Sequence, residues 1–516
     1  MNSLTWHTTR LSPWVIFLAL FNIILHWTFY NTLGFHRDEL LYFSLGQHLS
    51  AGYASVPPFI GFMAWFMINT LGYSLLSARL LPMLLSGVMV IIVALITMEL
   101  KGKTYAQVLA TIAFIVTPFN LRTYFLFMPV CFDCFFWSII ILVILRWINT
   151  KDDRYLLLLG LAAGLGMLNK YLIAVEIFAI LSVLIFSEQR KIFTTKCFWF
   201  AILIAFLVLS PNLIWQLKNN LPVLTHMQAL HDSQLVHVSR ISFFTDQLFI
   251  ACMAIFLVIP GLIYAFTFAA MKPYRPLMVA SLLVLLILVL LRGKSYYTIG
   301  LYPFWIAAGG VFWENRIRHM SIKIVLPLII VLLTLPVLPY GLPVFKPARL
   351  VEYFAGARKS TGFDAALRWE TGQMHNLPQD YADMLGWEEI AAITAKAYQQ
   401  VNDKTGCMIY AENYGEAGAV MVLGKKYGLP EPVCFSESFW YWFPRNPPHE
   451  ITEMIYINDK LGDDIKGLFA DCRLVGQVSD TLAREYGTEV WLCKNPKTSF
   501  NEFWKQRTPQ VANPFR

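Results

Sequence analysis

Charged residues are scarce in this sequence. Lys, Arg, Asp and Glu make up only 14% of the 516 residues, whereas soluble proteins carry about 25%. Hydrophobic residues reach 57% and aromatic residues 15%. This balance excludes an ordinary soluble protein and predicts a polytopic α-helical membrane protein. Loops on the cytoplasmic side of such proteins collect Lys and Arg, which accounts for the net charge of +8. We therefore expect no nucleic-acid partner.

The N-terminal region lacks a small-residue cleavage site. Its first apolar run, Trp14–Leu33, is about 20 residues long, which is the length of a membrane span rather than of a signal peptide. We expect this run to be a retained span.

Eleven apolar runs come close to the roughly 20 residues that a hydrocarbon core about 30 Å thick requires. The predicted spans are Trp14–Leu33, Leu80–Met98, Tyr105–Phe119, Cys131–Trp147, Tyr155–Leu168, Leu172–Phe186, Cys197–Trp215, Leu248–Ala270, Leu277–Leu291, Tyr297–Phe312 and Ile324–Leu338. A further run, Phe59–Leu71, is too short and follows two prolines, so it predicts an interfacial helix.

The distribution of basic residues supports an odd number of spans. With the N-terminus inside, the inside loops carry more Lys and Arg than the short outside loops, as the positive-inside rule requires. The outside cations are Arg37, Arg79, Arg122, Lys170, Lys218, Arg240, Arg292 and Lys294. This topology predicts a transmembrane domain over residues 1–343, with a first outer loop at 34–79, and an exported domain over 344–516.

The exported segment reads as a small α/β domain because helical and strand-like patterns alternate in it. The predicted elements are a helix near Asp383–Gln400, a strand at Cys407–Ala411, a helix near Tyr414–Tyr427, and strands at Ile451–Ile457 and Glu489–Cys493. It also contains four cysteines, Cys407, Cys434, Cys472 and Cys493. An oxidising compartment permits two disulfides among them, and four partly buried thiols are the equal alternative.

Ionisable side chains gather at the predicted outer face. Asp38 and Glu39 follow the first span, Lys170 lies in the short turn between two apolar helices, and Asp133 lies at the start of the fourth span. Arg292 and Lys294 form another short outer turn. Cations of this kind hold a phosphate through charge-assisted hydrogen bonds, and a carboxylate can take a proton from an attacking hydroxyl. The set therefore indicates glycosyl transfer from a lipid phosphate.

Each of these residues also has a structural interpretation. Asp38 and Glu39 could cap the helix that follows them. Lys170 and Lys294 could be snorkelling anchors. Asp133 could pair with Arg122.

Metal chemistry has little support in the sequence. Cys131 and Cys134 have CxxC spacing, but a second pair is missing, which disfavours zinc. The loop histidines His226, His231 and His237 are more typical of solvated residues than of metal ligands.

Several segments together resemble the bacterial branch of glycosyltransferase family 39, in the GT-C superfamily, which includes protein O-mannosyltransferases and the lipid A aminoarabinose transferase. The first outer loop, His36–Phe66, has that family's Asp-Glu pair, short helix and Pro-Pro step. The other matching segments, in the same order, are Ser77–Gly87, Gly160–Tyr171, Ser210–Pro222, Leu291–Gly310 and, in the exported domain of one subgroup, Glu412–Val420.

The resemblance implies roles for individual residues. Asp38 matches the catalytic acid that activates the acceptor hydroxyl for inverting transfer, Glu39 its supporting neighbour, and Asp133 a second acidic position. The candidates for substrate binding, chiefly of the polyprenyl phosphate, are Lys170, Arg292, Lys294, Tyr297, Arg79 and His48. No cofactor is firmly implied. The sequence has no Asp-x-Asp motif, which argues for metal-independent transfer, but some relatives hold a divalent metal near the first loop, so the metal stays open.

The sequence thus predicts a glycosyltransferase of the bacterial cytoplasmic membrane. The implied partners are a polyprenyl-phosphate sugar donor, membrane lipid, and a glycolipid, polysaccharide or protein acceptor. One alternative is a transporter or flippase of a lipid-linked anionic substrate, which would need polar residues at the membrane midplane, where only Glu176 is a candidate. Another is a non-catalytic scaffold whose exported domain binds polysaccharide.

Overall fold

The computed structural model describes residues 10–233 and 235–511, without the side chains of Ser233 and His237. The chain divides into two compact units. The first, here called the helical unit, comprises Met1–Tyr30, Arg79–Ile214 and Leu230–Val344. The second, here called the mixed unit, comprises Asn31–Ala78, Trp215–Ala229 and Phe345–Arg516. The mixed unit therefore contains both the first loop and the C-terminal segment, whereas the sequence-based division assigns that loop to the transmembrane domain.

The helical unit consists of helices joined by short turns. Its α-helices, two of which continue into the mixed unit, are Pro13–Phe29, Leu75–Glu99, Thr104–Ile115, Pro118–Thr123, Pro129–Thr150, Arg154–Asn169, Ile173–Ile185, Lys196–Lys218, Arg240–Ala251, Ile255–Thr267, Arg275–Leu290, Tyr302–Arg316, Met320–Thr334 and Leu338–Gly341. Its 3-10 turns are Glu188–Thr194, Leu235–His237, Cys252–Ala254, Ala269–Tyr274, Ser295–Leu301 and Leu335–Val337.

Among the described residues, six helical segments are long and apolar enough to cross a membrane. They are Leu75–Glu99, Pro129–Thr150, Lys196–Lys218, Arg240–Thr267, Ala269–Leu290 and Met320–Gly341. The other predicted spans also coincide with helices, but these helices are shorter; Thr104–Ile115 has 12 residues, or about 18 Å of helix. The fold class of a polytopic helical membrane protein is confirmed, and the count of eleven spans stays a prediction.

Glycine allows helices of this unit to approach each other closely. A Cβ atom at Gly309 would overlap the backbone of Leu257, and one at Gly160 would overlap the backbone of Ala201. Small residues at such crossings bring helix backbones into van der Waals contact, which drives helix association where lipid removes the hydrophobic effect.

The mixed unit is built on a four-stranded sheet with the order β1-β2-β4-β3. Strand β1 (Cys407–Ala411) runs parallel to β2 (Glu453–Asn458), and β4 (Glu489–Pro496) is antiparallel to both β2 and β3 (Phe469–Gln477). A core of Met408, Met454, Tyr456, Cys493, Phe500 and Trp504 packs on the sheet. The helical segments of this unit are Arg37–Gln47, Phe59–Leu71, Pro347–Thr361, Ala365–Leu367, Gln379–Ala382, Trp387–Tyr398, Tyr414–Gly418, Ala419–Leu423, Gly424–Tyr427, Glu437–Tyr441, Asp463–Leu468 and Phe500–Arg507. The helix Pro222–Ser233 begins in this unit, and its last residues are assigned to the helical unit.

Strand β1 and the Phe59–Leu71 helix have the bounds expected from the sequence. Trp387–Tyr398 lies within the predicted Asp383–Gln400 helix. The predicted helix at Tyr414–Tyr427 is instead a short α-helix followed by π and 3-10 turns. Strand β3 was not predicted, because it is an edge strand with many exposed residues and lacks a continuous apolar run. All eight cysteines are free thiols, although Cys472 and Cys493 face each other across β3 and β4.

The first loop packs on the C-terminal segment within the mixed unit. The backbone N–H of Arg37 donates to the Asp383 carbonyl at 2.9 Å, and that of Ala54 donates to the Ser438 hydroxyl at 3.0 Å. The Asp383 carboxylate accepts from Arg484 at 3.2 Å. These bonds hold the start of the Arg37–Gln47 helix against the C-terminal segment.

Gly46 sets the distance between the Arg37–Gln47 and Phe59–Leu71 helices. A Cβ atom there would lie 2.7 Å from the Trp65 backbone nitrogen and 2.9 Å from the Ala64 carbonyl carbon, neither of which can rotate away. We expect Gly46→Ala to destabilise the mixed unit by about 1–3 kcal/mol through overpacking. Thermal unfolding of the purified protein in detergent measures this as a lower midpoint.

Gly356→Ala is the matched control, because Gly356 lies in the Pro347–Thr361 helix with open space around it. Alanine there should leave stability unchanged or raise it by about 0.5–1 kcal/mol. Equal midpoints for the two variants would contradict the close approach at Gly46.

Candidate active site

A capping box begins the helix that carries the first acidic pair. His36 is the N-cap of Arg37–Gln47, and its Nδ1 accepts from the Asp38 N–H at 3.1 Å. Glu39 returns the interaction, with its Oε2 accepting from the His36 N–H at 2.9 Å. Such reciprocal bonds fix a helix start. The capping interpretation is therefore correct for Glu39, whose carboxylate is fully buried in this role.

Asp38 makes a different contact. The Tyr414 hydroxyl donates to its Oδ1 at 3.0 Å, and the Arg37 guanidinium lies over the Tyr414 ring, 4.1 Å from the centroid. Burial, together with the negative charge of Asp38, raises the pKa of the Tyr414 phenol well above its usual range. The phenol therefore stays protonated and remains a hydrogen-bond donor. Asp38 itself is partly exposed.

A third acid, Glu437, accompanies Asp38. It begins the Glu437–Tyr441 turn with a φ of +53°, a conformation that costs energy for a residue other than glycine and is common at functional sites. Its Oε2 is buried and has no hydrogen-bond partner. Burial raises the pKa of the Glu437 carboxyl, and the charge of Asp38 acts in the same direction, while Ser55 and Arg37 lower it. The arrangement thus places two acidic side chains near each other, and the pKa of one of them, Glu437, is raised by burial.

His48, at the end of the same helix, stacks on Trp442 with 4.4 Å between ring centroids. Its Nε2 lies 3.3 Å from Glu431 Oε2, and this contact lowers the pKa of the Glu431 carboxyl. The imidazole is only partly buried, so its exposed edge remains available to a ligand.

Four of the predicted residues form a cluster in the helical unit. Asp133 accepts from the Trp137 indole at 3.2 Å, and its charge acts on the Lys170 ammonium. Lys170 lies 4.5 Å from the centroid of the Tyr297 ring, and the charge of Lys294 also acts on it. Aromatic faces and a carboxylate thus hold Lys170 where part of its surface is exposed.

Glu176 joins this cluster from the Ile173–Ile185 helix. Its side chain is buried and interacts electrostatically with Asp133. Neither carboxyl oxygen of Glu176 has a hydrogen-bond partner. The sequence identified this residue only as a candidate for a transport pathway, and its place beside Asp133 connects it to the predicted site instead.

Arg79 and Arg292 make other contacts. Arg79 is fully buried, donates to the Tyr30 carbonyl and lies 4.5 Å from the Phe125 ring centroid. Arg292 donates to the Val236 carbonyl at 3.0 Å. Their assignment to substrate binding stays a prediction.

The cysteine and histidine candidates have local partners. Cys131 donates to the Met128 carbonyl at 3.0 Å, and His231 lies 3.0 Å from Asp232. The side chain of His237 lies outside the described residues. Within the part of the chain that the structure describes, the acidic, histidine and cysteine ligand atoms close enough to share one ion belong to Glu416, Asp459 and Glu485.

Sequence reasoning missed Tyr414 and Glu437. Tyr414 lies 376 positions from Asp38, inside the Glu412–Val420 segment that matches the family, and this match was the available signal. No motif or pattern in the sequence pointed to Glu437.

The predicted site residues fall into two groups. Asp38, Glu39 and His48 belong to the mixed unit, and the Asp133–Lys170 cluster belongs to the helical unit. That both groups act on one substrate stays a prediction.

Comparison with known proteins agrees with this architecture. Residues 55–215 match the family model described as dolichyl-phosphate-mannose-protein mannosyltransferase. The crystal structure of ArnT from Cupriavidus metallidurans bound to undecaprenyl phosphate is similar with a TM-score of 0.59 and 11% identity, covering 94% of this chain and 98% of that one. ArnT in the apo state gives a TM-score of 0.57 and 10% identity, covering 93% and 98%. No curated protein sequence matches the chain.

These similarities confirm the resemblance that the sequence motifs indicated. The chain is a polytopic helical membrane protein with the GT-C fold and a C-terminal domain containing a small sheet, and residues 55–215 relate it to the protein mannosyltransferases.

Proposed function

We propose that this protein is an inverting glycosyltransferase that moves a sugar from a polyprenyl-phosphate donor to a hydroxyl acceptor at the outer face of the bacterial cytoplasmic membrane. The contact that carries the proposal is the hydrogen bond from Tyr414 to the partly exposed Asp38 carboxylate. It holds one oxygen of a partly exposed carboxylate, and in this proposal the other oxygen takes the substrate proton. The same fold in an ArnT structure bound to undecaprenyl phosphate supports a lipid-linked donor.

Asp38 acts as the general base. Its carboxylate takes the proton from the acceptor hydroxyl as that oxygen attacks the anomeric carbon of the donor. The bond from that carbon to the phosphate oxygen breaks, and the polyprenyl phosphate leaves with the electron pair. Attack on the face opposite the phosphate inverts the anomeric centre. General-base assistance of this kind contributes about 10²- to 10⁴-fold in rate.

Lys170, Lys294 and Tyr297 hold the donor phosphate. Lys170 is kept in place by the Tyr297 ring and by Asp133, so it offers a fixed positive charge with little conformational freedom to lose. A fixed charge stabilises the negative charge that develops on the departing phosphate without reorganisation. Asp133 orients Lys170, and the isoprenoid chain lies in the lipid.

The acceptor is a glycolipid such as lipid A, a polysaccharide or a protein, and all of these offer the hydroxyl group that the mechanism requires. The C-terminal segment, 345–516, lies outside the cytoplasm in this proposal. It contributes Tyr414 and Glu437 to the surroundings of Asp38, which gives it a direct part in the reaction.

Asp38→Asn tests the base. The amide keeps the size of the side chain and can still accept from Tyr414, but it cannot take a proton, so transfer should fall by about 10²-fold or more. The assay follows release of polyprenyl phosphate in proteoliposomes given a panel of undecaprenyl-phosphate sugars and a panel of lipid A, polysaccharide and protein acceptors.

Asp463→Asn is the control, since it makes the same chemical change on a side chain that is 98% exposed. It should keep wild-type turnover. Near-normal turnover of Asp38→Asn would show that another group is the base.

Glu437 gives a pH dependence of stability with a defined sign. Because folding raises the pKa of Glu437, the native state favours its protonated form. Its contribution to stability is complete below the usual glutamate pKa of about 4.3 and is lost as pH rises through the value in the folded state. Glu437→Gln removes this loss. As pH rises from 4 to 8, we expect the melting midpoint of the variant to increase relative to that of the wild type.

Glu352→Gln, which changes an exposed glutamate, should show no such divergence. Parallel profiles of Glu437→Gln and the wild type would mean that folding does not raise the pKa of Glu437. Thermal unfolding in detergent at successive pH values makes this comparison.

Lys170→Ala tests the phosphate site. Loss of a hydrogen bond to a charged group costs about 1.5–3 kcal/mol, which corresponds to about ten- to hundredfold weaker binding of undecaprenyl phosphate. Binding is measured by titration of the purified protein in detergent. Lys218→Ala removes an exposed cation and should bind as the wild type does. Equal affinity of Lys170→Ala and Lys218→Ala would place the phosphate elsewhere.

A further inference from the structure

Three carboxylates meet at one edge of the sheet in the mixed unit. Glu416 follows β1 after a short turn, Asp459 follows directly on β2, and Glu485 precedes β4. The carboxyl ends of the parallel strands β1 and β2 share this edge, and because β4 runs antiparallel to β2, its amino end lies there too. In α/β sheets the carboxyl edge of the strands is the usual place for a ligand.

The separation of the carboxylates fits one class of ion. One oxygen from each of the three residues lies within 4.8 Å of the others. Oxygens that bind Ca²⁺ lie 2.3–2.6 Å from it, so two of them are at most about 5 Å apart. For Mg²⁺ the limit is about 4 Å. The upper bound of 4.8 Å lies within the span that one Ca²⁺ allows, and Ca²⁺ accepts an irregular ligand set, whereas Mg²⁺ demands near-ideal octahedral geometry.

One of the three side chains has an unsatisfied buried oxygen. Glu416 is fully buried, and its Oε2 accepts from the backbone N–H groups of Glu412 at 3.0 Å and Asn413 at 3.2 Å. Its Oε1 has no hydrogen-bond partner. Leaving a buried carboxylate oxygen unsatisfied costs free energy, and a cation bound at this atom removes the cost.

Two arginines lie near Glu485, and the positive charge of each acts on its carboxylate. Arg484 bonds to Asp383 at 3.2 Å, with its Nε 4.0 Å from Glu485, and Arg37 stacks on Tyr414. The two arginines thus act on Glu485, while Oε1 of Glu416 stays without a hydrogen-bond partner.

We propose that Glu416, Asp459 and Glu485 form a Ca²⁺ site at this edge of the sheet. Glu416 and Glu485 supply buried oxygens, and the exposed Asp459 leaves room for access and for water ligands. The ligands are all oxygens, which suits a hard cation and disfavours zinc, since zinc prefers nitrogen and sulfur.

The ion joins three separate segments of the mixed unit. It also fixes the first turn of the Tyr414–Gly418 helix, because Glu416 lies two residues after Tyr414. The ion therefore stabilises the turn whose hydroxyl group contacts Asp38. This site is independent of the proposed transfer reaction and can be tested without it.

The test uses the full-length protein in detergent after treatment with EDTA. Titration with calcium chloride should raise the melting midpoint, and calorimetry should show one Ca²⁺ bound per chain. Magnesium chloride at the same concentration should give a much smaller shift. Asp459→Asn should bind Ca²⁺ at least tenfold more weakly while keeping its midpoint in EDTA, because Asp459 is exposed.

Two further variants complete the test. Glu485→Gln should likewise lose the response to Ca²⁺, and Glu352→Gln, on a distant helix, should keep it. Absence of a Ca²⁺-dependent shift in the wild type would overturn the site, since the carboxylates would then be neutralised by protons, Arg37 and Arg484 without an ion. An unchanged response in both Asp459→Asn and Glu485→Gln would also overturn it, as would an equal response to Mg²⁺.

Discussion

The hydrogen bond between Tyr414 and Asp38 joins segments that lie 376 positions apart, and the arrangement of the mixed unit depends on it and its neighbours. It requires a fixed start for the Arg37–Gln47 helix, which the His36–Glu39 capping box provides. It also requires a fixed Tyr414, which the turn after β1 provides through a second capping box between Asn413 and Glu416. Each partner is therefore positioned by a local motif before the long-range contact forms, and little entropy remains to be lost when they meet.

The capping box also explains why the neighbouring acids Asp38 and Glu39 have different contacts. A capping box uses the third helical residue to accept from the N-cap backbone, so the carboxylate of Glu39 turns back into the protein. Asp38 comes one residue earlier on the helix and points in another direction, towards Tyr414. The capping interpretation is thus correct for Glu39, and the catalytic role of Asp38 stays a prediction. Similar reasoning applies to Glu416, where one oxygen caps a helix and the other is available to an ion.

Charge is scarce in this chain, so the places where acids and bases gather are informative. In the helical unit, Asp133, Glu176 and Lys170 share a cluster in otherwise apolar surroundings, where ionisable groups are costly and usually functional. In the mixed unit, acids gather around Asp38 and again at the carboxyl edge of β1 and β2. Their neighbours keep these acids from repelling one another: Tyr414 donates to Asp38, burial favours protonated Glu437, and in our proposal Ca²⁺ binds at the sheet edge.

The sequence by itself determined the helical segments, strand β1 and the membrane class, because the length and period of an apolar run are local properties. It also singled out Asp38 and Lys170, since charge at the end of an apolar run is visible without a structure, and the family resemblance added Tyr297. Only the tertiary structure decided that Tyr414 and Glu437 stand beside Asp38, that Glu39 is a cap, and that Glu416, Asp459 and Glu485 converge. These relations depend on how segments distant in the sequence pack against each other, which no local pattern records. Strand β3 also escaped prediction, because its exposed edge position left little apolar pattern.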